Sequence, residues 1–166
     1  MMHFDDDLEF LSNFYPASLT FMGIAYPTSE HAFAAMKTED TGERLKASWI
    51  PTPGQAKRFG RTLDLRPGWE YMKRDLMHLI VYAKFYQNSG LVPKLLAVEG
   101  EIVEGNHWHD NIWGKCECAN CAFHPQLNWL GKILMDVRQA EVQRRVARAR
   151  RVADGTEDLY AGRSPE

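Results

Sequence analysis

The chain has 166 residues, 45% of them apolar and 25% charged, with a formal net charge of −2. That length suits one domain with a real core, and the charge balance excludes a nucleic-acid binder that works through overall basicity, so any polyanion must meet a local patch. No apolar run approaches the ~20 residues of a membrane helix, acids stand near the N-terminus where a secretory signal would be basic, and the three cysteines all fall within residues 116–121, which is no disulfide framework.

The expected compartment is therefore cytoplasmic, with the cysteines free for thiol or metal chemistry. Residues 18–27 read as a hairpin, SLTFM and IAYP around a turn at Gly23. Thr28 or Ser29 can then cap a helix running to about Lys37. Glu30 falls in its first turn, where the helix dipole favours a negative charge. Glu30 and Lys37 share a helix face about two turns, roughly 10 Å, apart. That is too far for an ion pair but the right scale for two walls of a small pocket.

A short helix is expected over residues 40–48. Thr52, Pro53 and Gln55 give the next start signal: a cap, a first-turn proline and a capping-box glutamine. That helix holds Lys57 and Arg58 and ends at Gly60. A long helix begins near Pro67, with Trp69, Met72, Leu76, Leu79, Ile80 and Ala83 at helical spacing, and Asn88-Ser89-Gly90 ends it.

A short helix near residues 93–97, a strand at 101–103 and an aperiodic loop over 105–125 follow. The last helix should start near Gln126, with Leu127, Leu130, Ile133, Leu134 and Val137 as its buried stripe. Past Ala140 it turns arginine-rich, and from Asp154 the tail lacks apolar residues and reads as disordered. The expected organisation is a domain over residues 1–140 and a basic helical extension with its tail over 141–166. The expected class is α+β, a helix-rich single domain with a small antiparallel sheet.

Each candidate for chemistry has a structural alternative. Glu30 either stabilises its helix start or works beside Phe14, Tyr15 and Tyr26, which could exclude water. Lys37 is a surface lysine or, if partly buried, a phosphate contact or an imine-forming amine. Asp110, between Trp108 and Trp113, is a turn aspartate or a second acid beside a stacking platform. Trp69 is a core residue or, if partly exposed, one face of a base sandwich. Arg58, Arg61 and Arg66 read as solvent-facing, although a phosphate-bearing ligand would need such charge. Cys116, Cys118, Cys121 and His124 either fill a structural zinc shell, closed to water by its fourth ligand, or stay unligated. The arginines beyond residue 140 form a solvated helix face or a phosphate contact.

Seven stretches carry a resemblance: FLSNFYP (10–16), YPTSEHAFAAMK (26–37), PTPGQAKRFGR (51–61), RPGW (66–69), AKF (83–85), VEGNHWHDNIWG (103–114) and NWLGKILMDVR (128–138). In this order they resemble the NADAR-domain (YbiA-like) family. The family's glutamine–asparagine step before the last helix is displaced or replaced here by HPQLNWLG, and some members carry a comparable C-x-C-x₂-C insertion.

The resemblance implies an N-glycosidase that needs no cofactor for catalysis. Family members cleave ribosylamino-pyrimidine phosphates, early intermediates of riboflavin synthesis, or remove ADP-ribose from guanine bases in nucleic acid. Both substrates join a ribose C1 to an exocyclic amine, and both carry phosphate on that ribose. By resemblance the catalytic carboxylate is Glu30, the second acid is Asp110, and Lys37 takes part. Asn13, Phe14, Arg58, Trp69, Lys84 and Trp113 are the implied ligand contacts. Two rivals compete with an enzyme: a module that binds ADP-ribose or a related nucleotide without chemistry, and a zinc-stabilised nucleic-acid or protein adaptor.

Overall fold

The computed structural model describes residue 4 and residues 6–157. A 3-10 turn at Asp6–Leu11 leads into a hairpin of β1 (Leu19–Phe21) and β2 (Ile24–Tyr26), antiparallel with Leu19 opposite Tyr26. Both residues of its turn, Met22 (φ 49°) and Gly23 (φ 82°), are left-handed, the backbone that matches the twist of a tight hairpin.

Helix α1 (Ser29–Ala35) is buried at every position, and the Thr28 side chain accepts from the His31 N–H at its start. The His31 ring lies 2.8 Å from Thr28 Oγ1 and 3.0 Å from the Ile50 carbonyl, and burial lowers its pKa. It is a neutral core histidine that ties α1 to the end of the next helix. That helix, α2 (Thr41–Ser48), is capped by Asp40, and α3 (Pro53–Gly60) by Thr52. The long α4 (Trp69–Gln87) buries Met77, Ile80, Val81 and Phe85, positions i, i+3, i+4 and i+8 of one face.

After α5 (Val92–Ala97) come β3 (Gly105–Asn106) and β4 (Lys115–Cys116), then α6 (Trp129–Ala153). Helix α1 packs against α2, α3 and α4, while α6 covers α4 and α5. The core runs between these layers through Met36, Ile80, Phe85, Ile102, Leu130 and Ile133. The class is α+β, helix-rich with a small antiparallel sheet, as expected.

Three details differ from the expectation. No ladder forms at residues 101–103; the pairing is between β3 and β4, and it is parallel. The buried Asn128 side chain takes the groups a ladder would use. It accepts from the Glu104 N–H at 3.1 Å and donates to the Ile102 carbonyl at 2.9 Å. A Cβ at Gly114 would collide with the Glu104 carbonyl oxygen, so only glycine lets the β4 side approach.

The last helix starts at Trp129, since Asn128 is left-handed (φ 48°) and cannot extend the helix backwards. It continues past residue 140 as a helix, where buried Glu141 accepts from Arg144 at 2.7 Å. Residues 154–157 turn back so that Glu157 pairs with Arg148 and Arg151. The rest of the expected disordered tail lies outside the described residues. No described helix is long and apolar enough to cross a membrane.

Candidate active site

A cavity of about 390 Å³ opens where Phe4, the Ser12–Phe14 stretch, α1, α3 and the β3–β4 segment meet. Small-molecule pockets commonly span about 300–1,000 Å³. Its wall holds three carboxylates (Glu30, Glu104 and Asp110), three cations (Lys37, Lys57 and Arg61) and the rings of Phe14, Phe33, Trp108 and Trp113.

Glu30 is only 8% exposed. Its backbone N–H donates to the Asn13 carbonyl at 3.0 Å, joining α1 to the loop that carries Asn13 and Phe14. Burial raises its pKa, and the charges of Lys57, Lys37 and Arg61 pull the other way. Glu104 is pushed up to about 7, first by burial and then by the Asp110 carboxylate. Asp110 commits one oxygen to its own loop: Oδ1 accepts from the N–H of Ile112 (3.0 Å) and of Trp113 (2.8 Å). Asn106 grips the same loop by donating to the Asp110 carbonyl (2.8 Å) and accepting from its N–H (3.2 Å).

The cation wall follows from helix geometry. Lys57 and Arg61 are four residues apart and face the same side. Burial lowers the Lys37 pKa, offset in part by Glu30. Lys57 also sits over the Phe14 ring, 5.8 Å from its centre, so the cation and aromatic walls touch at the mouth.

The cavity therefore gathers Glu30, Lys37, Asp110, Asn13, Phe14 and Trp113. Asn13 is buried, and its Nδ2 lies 3.3 Å from the Met77 sulfur. Three expected ligand contacts lie elsewhere. Arg58 is exposed and absent from the cavity wall, because one residue along a helix is a turn of about 100°. Trp69, 6% exposed, stands behind Phe33 with ring centres 5.1 Å apart; Phe33, not Trp69, faces the cavity. Lys84 is buried, and its ammonium donates to the Phe10 and Ser12 carbonyls at 2.6 and 2.8 Å. It braces the loop of Asn13 and Phe14 from behind.

The metal-ligand set also changes. His109, Cys116, Cys118 and Cys121 bring their donor atoms within 4.8 Å of one another. His124 is exposed and outside the group. The chain folds back between β3 and β4 so that residue 109 reaches 116–121, and the histidine that stands with the sulfurs is not the one nearer to them in sequence.

Sequence reasoning passed over Glu104 and Lys57, which both line the cavity. Glu104 had a signal: an acid directly after the apolar pair Ile102-Val103 and before a glycine. Lys57 and Arg61 had one too, their i, i+4 spacing beside a first-turn proline.

A family model for the NADAR domain matches residues 2–140. The chain belongs to the NADAR family. It is 33% identical over 141 residues to the N-glycosidase YbiA of Escherichia coli K12, covering 81% of this chain and 82% of that protein. It is 32% identical over 136 residues to the N-glycosidase Npun_R5314 of Nostoc punctiforme, covering 77% and 82%.

A riboflavin biosynthesis protein of Vibrio vulnificus, VVA0006, is 36% identical over 138 residues, 81% of this chain. The matched segment spans only 36% of that longer relative. The NMR structure of Escherichia coli YbiA superposes with a TM-score of 0.74 at 31% identity, covering 88% of this NADAR chain and 85% of YbiA.

Proposed function

We propose that this NADAR-family N-glycosidase hydrolyses the bond between a ribose C1 and an exocyclic amine on a nucleobase-like ring, with phosphate on the ribose. The observation that carries this reading is the sorting of the cavity wall: acids, cations and aromatic rings on one small volume. Phosphate would lie against Lys37, Lys57 and Arg61. The ring would stack among Phe14, Trp108 and Trp113.

The reaction breaks C1–N, places a water hydroxyl on C1 and returns a proton to the nitrogen. Burial raises the Glu30 pKa and the cations beside it offset part of that rise; as a carboxylate it would activate water or stabilise the cationic sugar. The carboxyl of Glu104, held near 7, is the proton donor that the geometry adds to the pair. Asp110, oriented by its own loop, would hold the ribose hydroxyls or take the complementary proton step. This division of labour follows the logic of paired carboxylates in glycoside hydrolysis.

Two substrates satisfy this description: ADP-ribosylated guanine in nucleic acid and the ribosylamino-pyrimidine phosphates of riboflavin synthesis. Both are nucleotide-derived, in keeping with a cytoplasmic protein. The His109–cysteine group offers four donors, enough to close a tetrahedral shell, so a zinc ion there would be structural. The test is to offer purified protein both substrates side by side and follow release of the free base by chromatography. Turnover of at least one is expected. Binding of ADP-ribose with no turnover of either would overturn the enzyme reading in favour of a binding module.

A further inference from the structure

We propose that His109, Cys116, Cys118 and Cys121 bind one Zn²⁺, and that this ion fastens the rim of the cavity, because His109 lies between two residues of the cavity wall, Trp108 and Asp110. The imidazole Nδ1 stands 3.3 Å from the sulfurs of Cys118 and Cys121 and 4.0 Å from that of Cys116. With Zn–S near 2.3 Å and Zn–N near 2.0 Å, a tetrahedral shell has edges of about 3.5–3.8 Å. The three nitrogen–sulfur distances are close to those edges, and all four donors lie within 4.8 Å of one another.

Two further observations support a built site. The Gln126 amide donates to the carbonyls of Cys116 (3.0 Å) and Cys121 (3.2 Å), the kind of outer support that orients ligands. His109 itself is left-handed, with φ 64°. A residue with a side chain persists there when its surroundings over-determine it, and a metal–nitrogen bond would do so.

The three cysteines are free of disulfides, and two are buried. Binding balances as three thiol protons released, three thiolates and one neutral imidazole on the dication. Since Trp108 and Asp110 are the chain neighbours of His109, the ion would hold the stacking ring and the acid in place without touching substrate. His109 is a positioning residue. The metal site stands on its own geometry; only its effect on turnover rests on the reading of the cavity given above.

The test uses the full chain, with zinc content measured by mass spectrometry and Co²⁺ exchanged for Zn²⁺ to give the visible bands of a tetrahedral thiolate site. Wild type and His124→Ala should hold one zinc per chain and show the cobalt bands. His109→Ala and Cys118→Ser should bind zinc more than about 100-fold more weakly. In His109→Ala, hydrogen exchange should speed up across residues 106–114 while α4 stays protected. His109→Cys, which restores a fourth donor, should recover both metal and protection, and it covers the case in which the alanine variant fails to fold. Wild type without zinc or cobalt bands, or equal metal loss in His124→Ala, would overturn the site. Metal loss with unchanged exchange at 106–114 would overturn the fastening role. Zinc and protection behaving as expected in a protein that turns over neither substrate would leave this proposal standing and sink the glycosidase reading instead.

Discussion

The Asn128 side-chain oxygen accepts a hydrogen bond from the Glu104 N–H at 3.1 Å, so a residue at the foot of α6 fixes an acid of the cavity. The same amide donates to the Ile102 carbonyl at 2.9 Å. Asn128→Gly keeps the left-handed backbone permitted while deleting the amide. It should lower stability by about 2 kcal/mol, the cost of leaving buried peptide groups unsatisfied. Turnover should fall by more than the residual instability explains. Urea unfolding and kcat measured on the same preparation check this.

Glu104 sets the pH dependence. Its pKa is raised from the ordinary carboxylate range to about 7. Between those values the folded chain holds a proton that the unfolded chain has lost, so this group's contribution to stability declines as pH rises through the window. As proton donor it should also impose a fall in kcat/KM above about pH 7. Glu104→Gln should lose about 10²–10⁴ in turnover, lose that limb, and unfold at higher urea than wild type at pH 8.

Glu30→Gln tests the other half of the chemistry. Hydrolysis should fall by about 10²–10⁴, while affinity for the intact substrate, read by calorimetry, changes only a few-fold. Loss of binding equal to loss of turnover would make Glu30 a binding group instead.

Lys84 should govern the loop of Asn13 and Phe14 without meeting substrate. Lys84→Met leaves the Phe10 and Ser12 carbonyls without their donor and should cost about 2 kcal/mol, with KM raised more than kcat is lowered. Burial pushes the ammonium down to about 7. Above that value and below the ordinary ~10.4, the unfolded chain carries the extra proton, so stability gains with pH in wild type. The variant should flatten that slope in urea titrations at pH 7, 8 and 9.

Two tryptophans should behave in opposite ways. Trp108 is 63% exposed and Trp69 6%. Trp108→Ala should raise KM with the melting temperature unchanged. Trp69→Ala should cost about 3–5 kcal/mol through a core cavity. Thermal melts and initial rates together separate the pair.

Much of this was legible from local signals. The hairpin and the Thr28 and Thr52 caps are short-range features, and the chain obeys them; the stripe expected along α4 holds only at Trp69 and Ile80, since Leu79 is exposed and the buried face runs through Met77, Val81 and Phe85. Glu30 and Asp110 were legible as candidates because each is an acid set among aromatic residues. What stayed hidden depends on long-range contact. The strand expected at 101–103 gives way to a side chain 26 residues away. Trp69 is displaced from the cavity by Phe33, which no spacing rule foretells. Lys84 reaches back 74 residues to a carbonyl, and a lysine in a helix otherwise reads as surface. His109 replaces His124 because the β3–β4 pairing brings residue 109 over the cysteines.

The cavity takes part of its wall from Ser12, Asn13 and Phe14, and that loop is moored through Lys84 and the Glu30 backbone. Freeing that mooring would unroof the cavity while leaving every acid and cation of its wall in place.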